Sequence, residues 1–364
     1  MIRVVHVIRS LHHSGTARQL ALLAARLPRD EFEVQVVTLE SGCEQEAASP
    51  FSAAPRSVGR RMRFDPAALW RLRRMFAEFQ PHVVHAWEGT AHNFARLALG
   101  KSRNRRLVAT ETHCRSLTRL ERWFEQRLIE RTAWMIVGSP ALAEACSKAG
   151  FDRVWLIPWG VEPPPERPFD RAAELSAFDI PADARVAGYV GELTRERRGR
   201  DLVWGINLLS QITSRVCLLA MGDGSEREKL QSFAREIRRE EFVRLPGEGD
   251  GRGAMRLFDL YWSMGDEESP SSALLESMAV GIPAIVSDTP AHRELVIDGE
   301  TGFVVGVGDA VGLAQFSDRL LADPERRRAM GEAARARALA EFCADRMAET
   351  HAELYRSLAA EIGE

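Results

Sequence analysis

Lysine is nearly missing from this chain: only 3 of 49 basic residues are Lys, at 101, 148 and 229, and the rest are Arg. That bias reads as the mark of a GC-rich bacterial genome as much as of function. Cysteine is scarce as well. Its five residues (43, 114, 146, 217 and 343) are widely spaced, odd in number and never form a CxxC pair. This argues against a disulfide framework and a zinc site, and fits a reducing cytosol. No segment approaches the ~18 consecutive apolar residues that span a bilayer. The opening MIRVVHVIRSLHHSG is interrupted by Arg9 and lacks a cleavage site, so it reads as a buried first strand and not as a signal peptide. No GxGxxG follows that strand, which counts against a dinucleotide-binding dehydrogenase. An excess of one charge is also absent: 49 basic and 52 acidic residues leave a net −3. That excludes a wholly basic nucleic-acid binder.

What is present is alternation. Short apolar runs, at Arg3–Ile8, Glu33–Leu39, Val83–Ala86, Leu107–Thr110, Met135–Val137 and Val154–Ile157, are separated by stretches of helical period. Helices are expected at Thr16–Leu27, Pro66–Glu78, Leu117–Thr132 and Pro140–Ala149. Five prolines (163, 164, 165, 168 and 181) break the pattern over Trp159–Ala184 and predict an extended connector. The alternation then restarts with Val186–Val190, Val216–Met221, Phe242–Leu245, Leu257–Trp262, Ala284–Ser287 and Phe303–Val305. It closes on two helices, Asp323–Ala340 and Ala344–Ala360. At 364 residues, this predicts an α/β protein of two doubly wound, Rossmann-like domains facing across a cleft. The expected domains are 1–165 and 166–343, with helix 344–360 packing back on the first. Ligands of such sheets bind beyond the carboxyl ends of the strands.

Several strand-to-helix turns carry chemistry. Ser14-Gly15-Thr16-Ala17 follows the first strand; its glycine permits close backbone approach, and the helix start favours anions. A plain tight turn explains the same residues. Gly191-Glu-Leu-Thr-Arg-Glu-Arg-Arg-Gly-Arg200 places four arginines (195, 197, 198 and 200) after a strand, a pattern suited to paired hydrogen bonds with phosphate, although a solvated charged loop would look alike. The most informative segment runs from Gly265 to Val286. In it Glu268 precedes Pro270 in a loop, and Glu276 lies about a turn and a half into the next helix. Carboxylates so placed can reach two hydroxyl-rich parts of one ligand, with the helix start aimed between them at phosphate. That describes a nucleotide sugar.

These segments together resemble the family-4 retaining glycosyltransferases of the GT-B fold. The resemblance is carried by RVVHVIRSLHHSGTARQLALLAARLPRDEFEVQVVTL, PHVVHAW (81–87), VATETH (108–113), IVGSPALAEACSKAGF (136–151), LIPWGVE (156–162), VGEL (190–193), MGDGSEREKL (221–230), the paired-Glu block and RELVIDGETGFVV (293–305). It implies a donor site mainly in the second domain and an acceptor site mainly in the first. By that likeness Glu268 contacts the donor sugar, Glu276 the ribose hydroxyls, and the amides around Ser271 and Ser272 face the sugar and phosphates. Gly15 lets the first-domain loop approach the diphosphate, and His113 matches a family histidine near the reacting centre. Arg198 stands where the family carries a phosphate-neutralising Lys. Glu192 stands where it usually carries Arg, reversing a charge that Arg195 or Arg197 would compensate.

The activity implied is transfer of a sugar, with retention, from a nucleotide diphosphate sugar to a hydroxyl acceptor in glycan, polysaccharide or glycolipid synthesis. No Asp-x-Asp motif occurs, so this reading calls for no metal and for no cofactor beyond the nucleotide-sugar substrate. Two other readings stand beside it. A nucleotide-sugar epimerase would need no acceptor, and a non-catalytic homologue that binds a sugar or a partner protein would suit Glu192. The expected location is cytoplasmic. The net charge is also a cancellation, +8 over residues 1–165 against −11 over 166–364. Arg56, Arg60, Arg61, Arg63, Arg103, Arg105 and Arg106 would give the first domain a basic face for an anionic inner membrane surface. Attraction between oppositely charged domains accounts for the same numbers, and salt-sensitive binding to anionic vesicles separates the two.

Overall fold

The structure is a computed structural model that describes residues 1–12, 14–41, 51, 53–62, 65–100, 106–111, 134–148, 150–151, 153–165, 168–266 and 271–363. The chain divides into two compact units, Met1–Gly160 with Ala344–Glu364, and Val161–Cys343.

The first unit runs β1 (Ile2–Ile8), α1 (Gly15–Arg26), β2 (Phe32–Thr38), β3 (Arg56–Ser57), α2 (Pro66–Phe79), β4 (Val83–Trp87), α3 (Glu88–Leu99), β5 (Leu107–Glu111), β6 (Trp134–Val137), α4 (Pro140–Lys148) and β7 (Val154–Leu156). The second runs α5 (Arg171–Ser176), β8 (Arg185–Val190), α6 (Gly199–Ile212), β9 (Val216–Met221), α7 (Arg227–Glu236), β10 (Val243–Gly247), α8 (Gly251–Ala254), β11 (Leu260–Ser263), α9 (Ser272–Val280), β12 (Ala284–Ser287), α10 (Pro290–Leu295), β13 (Gly302–Val305), α11 (Ala310–Ala322) and α12 (Pro324–Glu341). A last helix, α13 (Ala344–Gly363), belongs to the first unit.

Both sheets are parallel, in the orders β3-β2-β1-β4-β5-β6-β7 and β10-β9-β8-β11-β12-β13. Helices cover both faces, so the strands read as continuous apolar runs. Val4, Val5, Val7 and Ile8 of β1 are all fully buried. Val4 and Ile8 pack in the layer with α1 and α13, while Val5 and Val7 pack in the layer with α2 and α3. Each sheet reverses its winding beside its first strand, between β1 and β4 and between β8 and β11. These switch points open a crevice at the carboxyl ends of the strands.

The doubly wound α/β class is as the sequence predicts; several local elements differ. The connector expected to be extended contains α5, because the Asp170 carboxylate accepts from the Ala172 and Ala173 amides and starts a helix there. α3, not among the expected helices, begins at Glu88 directly after β4 without any intervening turn. Its Ala91, Phe94, Ala95 and Leu99 recur at helical spacing and are buried. The short β3 carried no sequence signal. The expected helix Leu117–Thr132 lies outside the described residues.

The chain leaves the first unit after Gly160, and that glycine is clamped. The buried Gln19 side chain accepts from the Gly160 amide at 2.8 Å through Oε1, and its Nε2 donates to the Gly160 carbonyl at 2.9 Å. On the open side of Gly160, a Cβ would lie 2.7 Å from Ala344 Cα, so only glycine fits. Replacing Gln19 with Ala leaves both buried backbone groups unpaired. Urea denaturation should show a loss of about 2–4 kcal/mol, whereas a loss below about 0.5 kcal/mol would mean that water replaces the clamp.

Candidate functional site

In the second unit, the turns after β8, β9 and β11 are fastened together by backbone hydrogen bonds. Gly222 has φ +139, and a Cβ on it would sit 2.0 Å from the Gly191 carbonyl oxygen, so the β8 and β9 turns meet backbone to backbone. The Leu193 amide donates to the Asp223 carbonyl at 2.8 Å, and the Glu226 amide to the Leu193 carbonyl at 2.9 Å. On the other side, the Asp266 amide donates to the Glu196 carbonyl at 3.1 Å. The arginine-bearing turn therefore bridges from β9 to β11, directly over the switch point.

Its four arginines part company. Arg195 is exposed. Arg197 is half-buried; its Cδ lies beside Gly265, just beyond β11, and its charge acts on both Tyr261 and His292. Arg198 has a left-handed backbone (φ +54), and its Nε donates to Asp201 Oδ2 at 2.6 Å. Its Nη2 fills the space over Gly308, beyond β13. Arg200, expected at the same edge, lies in the first turn of α6 and stacks on the Phe233 ring at 4.3 Å. Glu192 points to solvent, where water and salt screen it.

The start of α9 lies against the Tyr261 side chain. Ser271 is its N-cap, accepting from the Leu274 amide at 3.2 Å, and Ser272 is the first helical residue. Glu276 follows on the next turn and is half-buried. Beneath them Tyr261 is fully buried, and its hydroxyl donates to the Val190 carbonyl at 3.2 Å. Burial, then the neighbouring Tyr189, pushes its pKa up, while Arg197, the Val190 backbone and Ser271 oppose the shift. Tyr261 thus remains a neutral donor that ties the end of β8 to the cap of α9. Burial lowers the His292 pKa to about 4; its bond to the Ser287 carbonyl resists that shift and Arg197 adds to it. Arg197 and Ser271 thus both neighbour Tyr261, Ser272 and Glu276 follow in α9, and Arg198 pairs with Asp201. Neither Tyr261 nor His292 announced itself in the sequence: Tyr261 sits within an ordinary apolar run, and His292 is a single histidine in the short segment PAHREL. Glu268 and His113 lie outside the described residues.

In the first unit, Gly15 opens α1 behind the N-cap Ser14, whose hydroxyl accepts from the Ala17 amide at 3.1 Å. Glu88, at the switch point between β1 and β4, has φ +71 and an ion pair of 3.8 Å with Arg9. Strained backbone at such an edge marks a site, a signal that residue type alone does not give. An open depression of about 520 Å³ lies past β2 and β3, lined by Ser41, Ser57, Arg61, Met62 and Arg71 among others. The expected basic face is partly neutralised: Arg56 pairs with Glu78 and Arg60 with Glu40, while Arg106 donates to the Pro81 carbonyl. Arg63, Arg103 and Arg105 lie outside the described residues. Among the described residues, no group of three or more His, Cys, Asp or Glu could hold a metal ion. Among them, too, no helix is long and apolar enough to cross a membrane.

Comparison with known proteins places this architecture. Residues 13–163 match the profile described as Glycosyltransferase Family 4, and residues 170–337 match Glycosyl transferases group 1. The chain is 26% identical to the lipopolysaccharide core biosynthesis glycosyltransferase LpsE of Rhizobium meliloti, over 51% of this chain and 54% of that protein. It is 29% identical to the phosphatidyl-myo-inositol mannosyltransferase of Mycobacterium leprae, over 72% of this chain and 70% of that one. The match spans about half the length of several such relatives, including LpsE and EpsD of Bacillus subtilis. Among solved structures, HepE of Anabaena in complex with UDP and glucose superposes with a TM-score of 0.85 at 18% identity, covering 98% of this chain and all of that one. Sucrose-phosphate synthase of Thermosynechococcus elongatus gives 0.80 at 20% identity, over 99% of this chain and all of that one. With two family profiles covering consecutive halves and the same two-sheet fold in these structures, the chain belongs to the family-4 glycosyltransferases of the GT-B fold.

Proposed function

We propose that the protein transfers a sugar, with retention at the anomeric carbon, from a nucleotide diphosphate sugar to a hydroxyl acceptor. The observation that carries this reading is that Arg197 and the Ser271 cap of α9 both neighbour Tyr261 at the second unit's switch point, with Glu276 one turn further along the helix. A guanidinium and the amides of a helix start at one sheet edge suit a diphosphate, and both would stabilise the charge that develops on a departing phosphate. Glu276 would accept from ribose hydroxyls. Family membership supports sugar transfer as the reaction, and HepE in complex with UDP and glucose supports a nucleotide sugar as donor. The acceptor would enter on the first unit, where the depression lined by Ser57, Arg61 and Met62 offers hydroxyl, cationic and apolar contacts.

The test is a thermal-shift comparison of uridine, guanosine and adenosine diphosphates, followed by their sugars. At a ligand concentration of ~100 Kd, binding stabilises the native state by about 2.7 kcal/mol. For a unit of this size that raises Tm by roughly 5–10 °C. One base should stand out, and Glu276→Ala should remove most of its shift. No response to any nucleotide, together with undiminished turnover in Glu276→Ala, would overturn the proposal.

A further inference from the structure

A buried polar chain runs beneath the site. Ser263 ends β11, Ser287 ends β12, and His292 lies in α10, whose N-cap Thr289 hydroxyl accepts from the His292 amide at 3.2 Å. His292 Nδ1 is 2.9 Å from the Ser287 carbonyl oxygen, and Nε2 is 3.0 Å from the Ser263 hydroxyl. A carbonyl only accepts, so the ring proton sits on Nδ1. Nε2 is then a bare lone pair, and Ser263 must donate to it. Ser287 Oγ lies 3.1 Å from the same Nδ1 and donates to the Gly265 carbonyl. Each proton in the chain has one assignment.

Gly265 is where this chain meets the working residues. On its other side a Cβ would sit 3.3 Å from the Glu196 carbonyl oxygen and 3.6 Å from Arg197 Cα. The next residue, Asp266, donates its amide to Glu196. The turn that carries Arg197 thus rests on the Gly265–Asp266 backbone, and that backbone is held from below by Ser287 and His292. We infer that His292 is a positioning residue: through Ser287 and the Gly265 carbonyl it fixes the seat of Arg197. The assignment rests on the donor-site reading above, because it matters only if Arg197 meets a phosphate. No atom of His292 need touch the ligand. Its part is to keep the seat from shifting when a charged group presses on Arg197, and packing alone would not supply that restraint to a carbonyl.

The test uses Ser287→Ala, which deletes the hydroxyl on Gly265 and leaves the imidazole in place, and His292→Leu, which keeps most of the ring's volume. The nucleoside diphosphate that binds the wild type (uridine, guanosine or adenosine) should bind each variant at least tenfold more weakly. Hydrogen exchange in the segment 262–266 should be at least tenfold faster, at unchanged exchange in α11. Ser263→Ala, on the far side of the ring, should weaken binding less than threefold. Affinity and exchange within twofold of wild type in both main variants would overturn the inference. A merely structural histidine would lower Tm while leaving affinity intact. If no nucleotide binds the wild type, the donor-site reading fails, and the exchange rate alone decides whether His292 holds Gly265.

Discussion

Acidification from pH 7 to pH 5 should unfold the first unit before the second. Its interior holds four fully or nearly fully buried histidines, His6, His85, His92 and His351. Burial lowers His6 to about 3, with His351's proximity adding to the shift. Burial likewise lowers His92 to about 3, with Arg96 adding to it, and His351 to about 4, opposed by the Met347 carbonyl. His85 is pushed well down by burial and by His6 and His351. Each is neutral in the fold and would titrate near 6.5 when unfolded. Between the two values the unfolded chain binds the extra proton, so stability is complete above about pH 6.5 and falls as pH drops towards the folded values. At pH 5 each contributes a loss of about 2 kcal/mol. Four of them sum to about 8 kcal/mol, comparable with the whole stability of a domain.

The local chemistry leaves these rings no easy refuge. The Trp87 indole donates to His6 Nδ1, so the His6 proton is on Nε2, buried and without a partner. His351 donates from Nδ1 to Met347, leaving its Nε2 equally buried and bare. The second unit contains one comparable ring, His292. Urea melts at pH 7, 6 and 5, followed by fluorescence and by hydrogen exchange in β1 and β8, should show the first unit's transition moving to lower denaturant while the second moves far less, because Glu294, whose pKa burial raises to about 7, gains stability over this range and offsets His292. The carboxylates held low by their bonds, such as Asp65 by the Ala68 amide and Glu31 by Arg356, titrate below this window and do not mimic it. A profile flat from pH 7 to 5 would refute the neutral assignment.

The architecture was legible because parallel strands buried on both faces have few polar positions to confuse the pattern. The run ending β9, VCLLAM, is buried at every residue. Where an element depended on something other than apolar period, the sequence was silent or misleading. α5 hangs on the single cap Asp170 in a proline-rich stretch, and α3 starts at Glu88 with a left-handed backbone and no side-chain cap. The site shows the same division. Ser271 and Glu276 follow from a helix start that sequence can locate. The choice between Arg197 and Arg198 does not, because adjacent residues differ by where the backbone turns them. The left-handed conformation at 198 sends its side chain towards Asp201 and Gly308. Spacing against the family pattern points to Arg198; we propose that its neighbour meets the phosphate.

That difference yields a large expected effect on activity. Arg197→Gln should lower kcat/KM for the donor by about 10²–10³-fold, and Arg198→Gln by less than about tenfold. Removing one preorganised donor from a developing oxyanion typically raises the barrier by about 3–4 kcal/mol. We assign that role to Arg197, whose Cδ lies beside Gly265 at the end of β11 and whose charge acts on Tyr261, itself against the capped start of α9. Arg198 already gives its Nε to Asp201 at 2.6 Å, so much of its charge is compensated before any ligand arrives. Arg197→Lys restores the charge without the paired donors and should recover only part of the loss, since a guanidinium and an ammonium meet phosphate differently. Steady-state kinetics with the donor identified by thermal shift, alongside melting curves to exclude misfolding, decide the matter. A larger loss in Arg198→Gln than in Arg197→Gln would return the phosphate to Arg198 and require the Asp201 pair to break when the donor binds.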